Sequence, residues 1–348
     1  MRVGVLTGGG DAPGLNAAIS GLARRLLAEG VDLLGFRAGW RGLMENETLS
    51  LADTDFQQLL TRGGTLLGSS GESPYRNPER DVPKVLETFE NQALDALVVI
   101  GGEGTLGAAE RLHREHGLPI VGVPKTIDND LLATDFTFGF FSAVEVATRA
   151  MDDLRTTAEA HGRVMVVELM GRHAGWITAY AGVASGAEVI LVPERPVQIG
   201  EVCEKLEAIR GTGSPAAIVA AAEGCRLFDG ERCLSSEEYD EFGEFRTGGV
   251  AETLAGCIEA KIGWEARSLV LGHLQRAGHP IAFDRIFALR LGAKAARLVF
   301  ERRFGYMAAL RAGEVVEVPL REAIATRKTL TDQFLDRYES FFLPISSP

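Results

Sequence analysis

Short apolar runs recur along the chain, each closing in glycine or a polar turn: RVGVLT, DLLGFRA, DALVVIGG, PIVGVPK, RVMVVELMG, EVILVP, AAIVAAAEG and RSLVLGHL. They are nearly continuous rather than alternating, which suits parallel strands covered on both faces. Between them lie helix candidates, among them Asn16 to Glu29, Ser142 to Ala160 and Asp284 to Arg303. Strand and helix in alternation predict right-handed βαβ units and an α/β fold with mostly parallel sheets.

With 348 residues, 46% hydrophobic and 24% charged, the chain has enough apolar material for two α/β lobes rather than one. The stretch from Cys225 to Gly249 is polar, acidic and rich in Gly and Ser, and is expected to be an exposed insertion. No solenoid-period repeat or low-complexity tract occurs. A net charge of -12 argues against nonspecific nucleic-acid binding, which needs clustered Lys and Arg. A local basic pocket for a phosphorylated small molecule stays open.

Cys203, Cys225, Cys233 and Cys257 have neither metal-ligand spacing nor the density of a small secreted domain, so they read as buried or solvated thiols. The N-terminus reads as a strand running into glycines, and nowhere do about eighteen apolar residues run together. A soluble, cytoplasmic protein that does not enter membranes is the expectation.

Chemistry collects where strands end. Four turns stand out, TGGGDAPG at 7 to 14, GGEGTLG at 101 to 107, PKTIDND at 124 to 130 and ELMGRHAGW at 168 to 176. The ends of parallel strands are where open α/β sheets hold ligands, so these turns are expected to face one crevice. The first two lack side chains where a phosphate would press on backbone, and each runs into a helix N-terminus with its partial positive charge. Such glycines also serve plain βα turns, but two loops in one sheet point to a polyphosphate cradle without a Walker lysine.

In PKTIDND, Asp128 and Asp130 stand two residues apart, and an extended strand end would aim both carboxylates to one side. One suits Mg²⁺, held directly or through water, and the other suits proton abstraction from an attacking hydroxyl. The same DND also fits a turn or helix cap.

Taken in order, GGGDAPGLNAAI, GGEGTLG, PKTIDND, VVELMGRHAGW, AAEG and LGHLQRAG, spanning roughly Val3 to Arg285, closely resemble the 6-phosphofructokinase family. The resemblance implies two Rossmann-like lobes with mostly parallel sheets. A nucleotide-phosphate lobe is expected over 1–139 and 280–328, and a sugar-phosphate lobe over 140–279 and 329–348. It implies transfer of a terminal phosphoryl group to the 1-hydroxyl of fructose 6-phosphate, with Mg²⁺ as cofactor.

By similarity Asp128 is the general base, with Thr126 and Asp130 beside it positioning the sugar and the metal-bound phosphate. Glu103 falls where the family ligates magnesium, while Gly9, Gly10, Gly102, Gly104, Thr105 and Lys125 fall where it meets the donor. Met170, Gly171 and Arg172 match the sugar-binding stretch, with Arg172 also expected among the catalytic residues, and Glu223 matches the acceptor of a sugar hydroxyl's hydrogen bond. Arg163, Arg267, His273 and Arg276 match cations that grip the 6-phosphate and the reacting phosphoryl, a task suited to the planar arginine fork. In relatives the equivalents of Arg163 and Arg267 reach across from a neighbouring subunit, which implies a homo-oligomer, a tetramer or dimer, with shared active sites. His173 invites a base role, yet Asp128 already fills it, and a structural role suits His173 better.

The donor position is mixed. In the family, pyrophosphate users carry Asp after GGE or GGD, which blocks the nucleotide's α-phosphate, and Lys at the head of KTIDND. This chain has Gly104 and Lys125. Removing a steric and like-charge block admits ATP, whereas an added cation excludes nothing, so ATP is the expected donor and pyrophosphate the alternative. Trp40, matching a family aromatic near the nucleotide, points the same way.

Three departures bear on activity. Gly71 stands where many members have an arginine that stabilises the transferring phosphoryl, which makes a weakly active sugar-phosphate-binding paralogue a rival reading, with Arg76 as a candidate substitute. Ala277 replaces a glycine in the usual QRGG run. Ser20 and Ser214 occupy two places that carry effector-binding cations in bacterial allosteric members, so weak or absent control of that kind is expected. Another sugar phosphate, such as sedoheptulose 7-phosphate, remains a further acceptor.

Overall fold

The computed structural model describes residues 1–234 and 248–342. Its strands are β1 (Arg2–Thr7), β2 (Asp32–Phe36), β3 (Thr48–Ser50), β4 (Ala96–Gly101), β5 (Ile120–Pro124), β6 (Val164–Leu169) and β7 (Val189–Leu191), followed by β8 (Val197–Gln198), β9 (Ala217–Ala222), β10 (Leu227–Asp229), β11 (Arg232–Cys233), β12 (Ala266–Val270), β13 (Tyr306–Arg311) and β14 (Glu314–Pro319). The chain divides into two compact units, one of Met1–Ser142 with Arg276–Arg327, the other of Ala143–Gln275 with Lys328–Pro348. The breaks fall after Ser142 and before Arg276, against expected positions after 139 and before 280. Arg276 therefore joins the first unit, not the sugar-phosphate lobe in which it was expected.

The first unit is built on a seven-stranded sheet of order β14-β13-β5-β4-β1-β2-β3. Its centre is parallel, and the edges β3 and β14 run antiparallel to their neighbours. Alternate residues of the central strands go to opposite faces, and both faces are buried, which is why the strands read as unbroken apolar runs. Val3, Val5, Val98 and Ile100 pack beneath the helices Leu15–Ala28 and Ala282–Phe300. Leu6, Leu97 and Val99 face the helices Pro78–Asn91 and Glu103–His116. The first helix pair lies very close. A Cβ on Gly21 would sit 2.1 Å from the Leu289 carbonyl oxygen, and one on Gly292 would sit 2.0 Å from that of Ala18.

The second unit holds a parallel four-stranded sheet of order β12-β6-β9-β7 and a small sheet of order β11-β10-β8. Val164, Val166, Val219 and Ala221 meet the helices Ile199–Gly211 and Val250–Ile262. The helix Trp176–Ala184 covers the other face, where a Cβ on Gly182 would lie 2.7 Å from Ile190. Of the expected insertion, β10 and β11 take up the start, and 235–247 lie outside the described residues. Cys203 and Cys225 are buried and Cys233 and Cys257 partly so, all four as free thiols. Burial pushes the Cys203, Cys225 and Cys257 thiols up, away from the reactive thiolate. Among the described residues no helix is long and apolar enough to cross a membrane.

Candidate active site

Three of the four expected turns lie side by side in the first unit. β1, β4 and β5 are adjacent and parallel, with Thr7 opposite Ile100 and Gly101 opposite Pro124, so their C-terminal ends are level. Gly8 N–H donates to Ile100 O at 3.0 Å and Lys125 N–H to Gly101 O at 2.9 Å, which carries the pairing one step past each strand. The fourth turn, 170 to 176, belongs to the second unit's sheet.

Glycine is required here by contact. A Cβ on Gly101 would come within 2.4 Å of Thr105, and one on Gly8 within 2.7 Å, so buried Thr105 locks the two turns together. Gly9 has φ of +79°, the left-handed region that glycine enters without cost. Beside it, Lys125 Nζ donates to the Gly10 carbonyl and Arg276 Nη1 to the Asp11 carbonyl at 3.0 Å. Two cations thus brace one glycine turn from the flanks. Lys125 is only 3% exposed, and burial, reinforced by the Arg276 charge, brings its ammonium down to about 8.

Gly102 caps the helix Glu103–His116, and the Glu103 carboxylate sits in its first turn, where the helix dipole favours negative charge. That carboxylate is held by Arg327, with Nη2 at 2.8 Å and Nε at 3.0 Å from Oε2. Gly104 is exposed, and a Cβ added there would meet nothing within 4 Å.

The segment after β5 is a bend rather than an extended strand end, which corrects the alternation argument for Asp128 and Asp130. Asn129, between them, is fully buried with φ of +51° and accepts the Thr137 N–H at 3.1 Å. Thr126 organises both acids. Its hydroxyl oxygen accepts the Asp128 N–H at 3.1 Å, and its hydroxyl bond to Asp130 favours that carboxylate. The Thr137 hydroxyl in turn donates to Thr126 O at 2.6 Å. Burial outweighs these bonds and pushes the Asp130 carboxyl up, while Asp128 is partly exposed.

In the second unit, β6 and β9 are adjacent and end level, Leu169 opposite Ala222. Met170, Gly171 and Arg172 follow one strand and Glu223 follows the other. Gly224 N–H donates to Gly171 O at 3.2 Å, and the Gly171 N–H lies 3.5 Å from Glu223 Oε1. Gln275, fully buried, accepts the Met170 N–H at 3.1 Å and donates to Gly272 O at 3.0 Å, tying this end to the short turn Gly272–Arg276 that carries His273. Glu168, buried at the same end, accepts the Ala251 N–H at the start of the helix Val250–Ile262. Gln275 and Glu168 were not singled out from sequence. Their only signal is a polar residue in or beside an apolar strand run.

Arg163 and Arg267 do not join this group. Arg163 precedes β6 and Arg267 is the second residue of β12, so both lie at the strands' opening ends, roughly 20 Å of strand away from Met170. There they share Glu265, at 3.3 and 2.7 Å, and Arg267 also reaches Glu259 at 2.8 Å.

Trp40 is 1% exposed and packs in the core with Leu6, Phe36 and Leu43. Its ring has no face free for a base, which corrects the expected nucleotide contact. Ala277 is not among the residues with positive φ, so the missing glycine costs nothing there. At Gly71 a side chain would have open space. Ser20 is fully buried and donates to Asn16 O at 2.7 Å.

Known proteins match this architecture. Over 343 residues the chain is 50% identical to a pyrophosphate–fructose 6-phosphate 1-phosphotransferase of Amycolatopsis methanolica, covering 98% of this chain and 100% of that one. It is 47% identical to ATP-dependent 6-phosphofructokinase 3 of Streptomyces coelicolor, covering 95% and 97%. A pyrophosphate-dependent phosphofructokinase structure from Nitrosospira multiformis superposes with a TM-score of 0.85 over 99% of this chain and 89% of that one, at 22% identity, a likeness of fold alone. The phosphofructokinase family model matches residues 2–299, and the chain belongs to the phosphofructokinase family of phosphotransferases.

Proposed function

We propose that the protein is an ATP-dependent 6-phosphofructokinase, phosphorylating fructose 6-phosphate at its 1-hydroxyl in cytoplasmic glycolysis. The observation that carries the choice of donor is Gly104, exposed at the donor turn with nothing within 4 Å of the point where a side chain's first carbon would stand. A nucleoside meets neither bulk nor negative charge at that point.

Asp128, with its backbone fixed on Thr126, takes the proton of the sugar's 1-hydroxyl. The resulting oxygen attacks the terminal phosphorus and ADP leaves. Phosphoryl transfer needs alignment and charge neutralisation more than covalent help. Lys125 and Arg276, braced on the Gly9 to Asp11 turn, supply cationic charge on the donor side. Glu103 and Asp130 are hard oxygen donors of the kind Mg²⁺ takes, one or two carboxylates completed by substrate phosphates and water. Among the described residues no group of three or more His, Cys, Asp or Glu side chains could hold a metal ion. When bound, the ion neutralises phosphate charge.

On the acceptor side we assign Met170, Gly171, Arg172 and Glu223 to the sugar and His273 to its phosphate. The position of Arg163 and Arg267 at the opposite strand ends supports a homo-oligomer in which they serve a neighbour's sugar phosphate.

Pyrophosphate is the second reading, favoured by buried Lys125 and by the name of the Amycolatopsis methanolica relative. Phosphorylation of fructose 6-phosphate measured with each donor in turn decides. A higher kcat/KM with ATP is expected, and turnover with pyrophosphate alone rejects the ATP reading. Binding of the sugar phosphate by calorimetry without turnover on either donor would instead favour the weakly active paralogue suggested by Gly71.

A further inference from the structure

The Glu103 carboxylate, assigned above to the metal, already holds a cation supplied by its own chain. Arg327 reaches Oε2 with two nitrogens, at 2.8 and 3.0 Å. Its backbone is pinned by a bridge to Leu131, the residue after Asp130. The pair is partly open to water, with side-chain exposures of 37% and 41%, so solvent screens it and an incoming ion can displace it.

We propose that Arg327 is a built-in counter-cation that occupies the metal position of the resting enzyme and must be displaced by the divalent ion. The inference rests on the reading of Glu103 as the metal carboxylate. A guanidinium paired with the Glu103 carboxylate and a dication held by that carboxylate would repel each other, so the two would compete for it. After the exchange, an unpaired guanidinium is left beside a turn that receives a polyphosphate. Metal alone is therefore disfavoured, and metal arriving with its anionic donor is not. Arg327 sets the order of loading, making it a positioning residue rather than a catalytic one.

The test is Mn²⁺ binding to the full chain without donor, followed by electron paramagnetic resonance and competed with Mg²⁺. Arg327→Gln is expected to bind Mn²⁺ about three- to tenfold more tightly than the parent, and Arg327→Lys to stay near it. Its KM for the metal–donor complex is expected not to improve. Glu103→Gln is expected to weaken Mn²⁺ binding in either background. Mn²⁺ binding by Arg327→Gln that is equal or weaker, with Glu103→Gln still weakening it, overturns the counter-cation role and leaves Glu103 as the metal carboxylate. No effect of Glu103→Gln removes that assignment itself. Arg327→Ala, read the same way, replaces the glutamine variant should that one melt early by circular dichroism.

Discussion

The ammonium of Lys125 donates to the carbonyl oxygen of Gly10, at the crown of the turn that follows β1. Burial brings it down to about 8 from an ordinary 10.5. Two pH effects follow. In the free enzyme, kcat/KM for the donor should fall as pH rises through about 8, and Lys125→Arg should remove that limb, since arginine stays charged. Stability moves the other way. Between about 8 and 10.5 the unfolded chain binds more protons than the folded one, so stability rises across that window. The rise is on the order of 3 kcal/mol, and it should be absent in Lys125→Met. Urea melts at about pH 7, 8.5 and 10 measure it.

Gln275 bridges Met170 N–H and Gly272 O from a fully buried position. Gln275→Leu keeps the volume but leaves both backbone groups unpaired, at a cost of about 1 to 3 kcal/mol. Because Met170 and the turn bearing His273 lose their common anchor, KM for fructose 6-phosphate should rise more than kcat falls. Steady-state kinetics separates the two, and an unchanged KM would show that the bridge does not position the sugar side.

The strands that carry the site were legible because they are buried on both faces and so read as unbroken apolar runs. The antiparallel additions were not. β14, Glu-Val-Val-Glu-Val-Pro, is a mostly half-buried edge with no unbroken apolar run, and β3 is three residues long with both ends exposed. Within the site, the glycine turns announced themselves, but the clamps did not. Asn129 was not singled out between its two acids, yet it is the fully buried left-handed residue at the bend, a role Asn tolerates. Trp40 looked like a base platform and is core. The partnership of Glu103 with Arg327 spans 224 residues, and only the folded chain brings them together.

Gly104→Asp should separate the donors. Nothing lies within 4 Å of the new Cβ, and a carboxylate in the first helical turn suits the dipole, so the melting temperature should hold. Activity with ATP should fall by about 100-fold or more, from bulk and like charge beside the nucleotide's phosphates. Activity with pyrophosphate should fall less or rise. Equal losses on both donors would remove Gly104 as the selectivity position.

Asp128→Asn tests the base directly. The change is isosteric at a partly exposed position, and the backbone N–H that meets Thr126 at 3.1 Å is untouched, so folding and sugar binding should survive. What disappears is the basic carboxylate that receives the hydroxyl proton, since an amide oxygen accepts hydrogen bonds but takes up no proton near neutral pH. General-base assistance is worth about 10² to 10⁴ in rate, so kcat should drop by that factor while calorimetric affinity for fructose 6-phosphate stays within about threefold. A variant that keeps near-parent turnover would move the proton to another acceptor. Asp130, whose carboxyl burial already pushes up, is the next residue to replace.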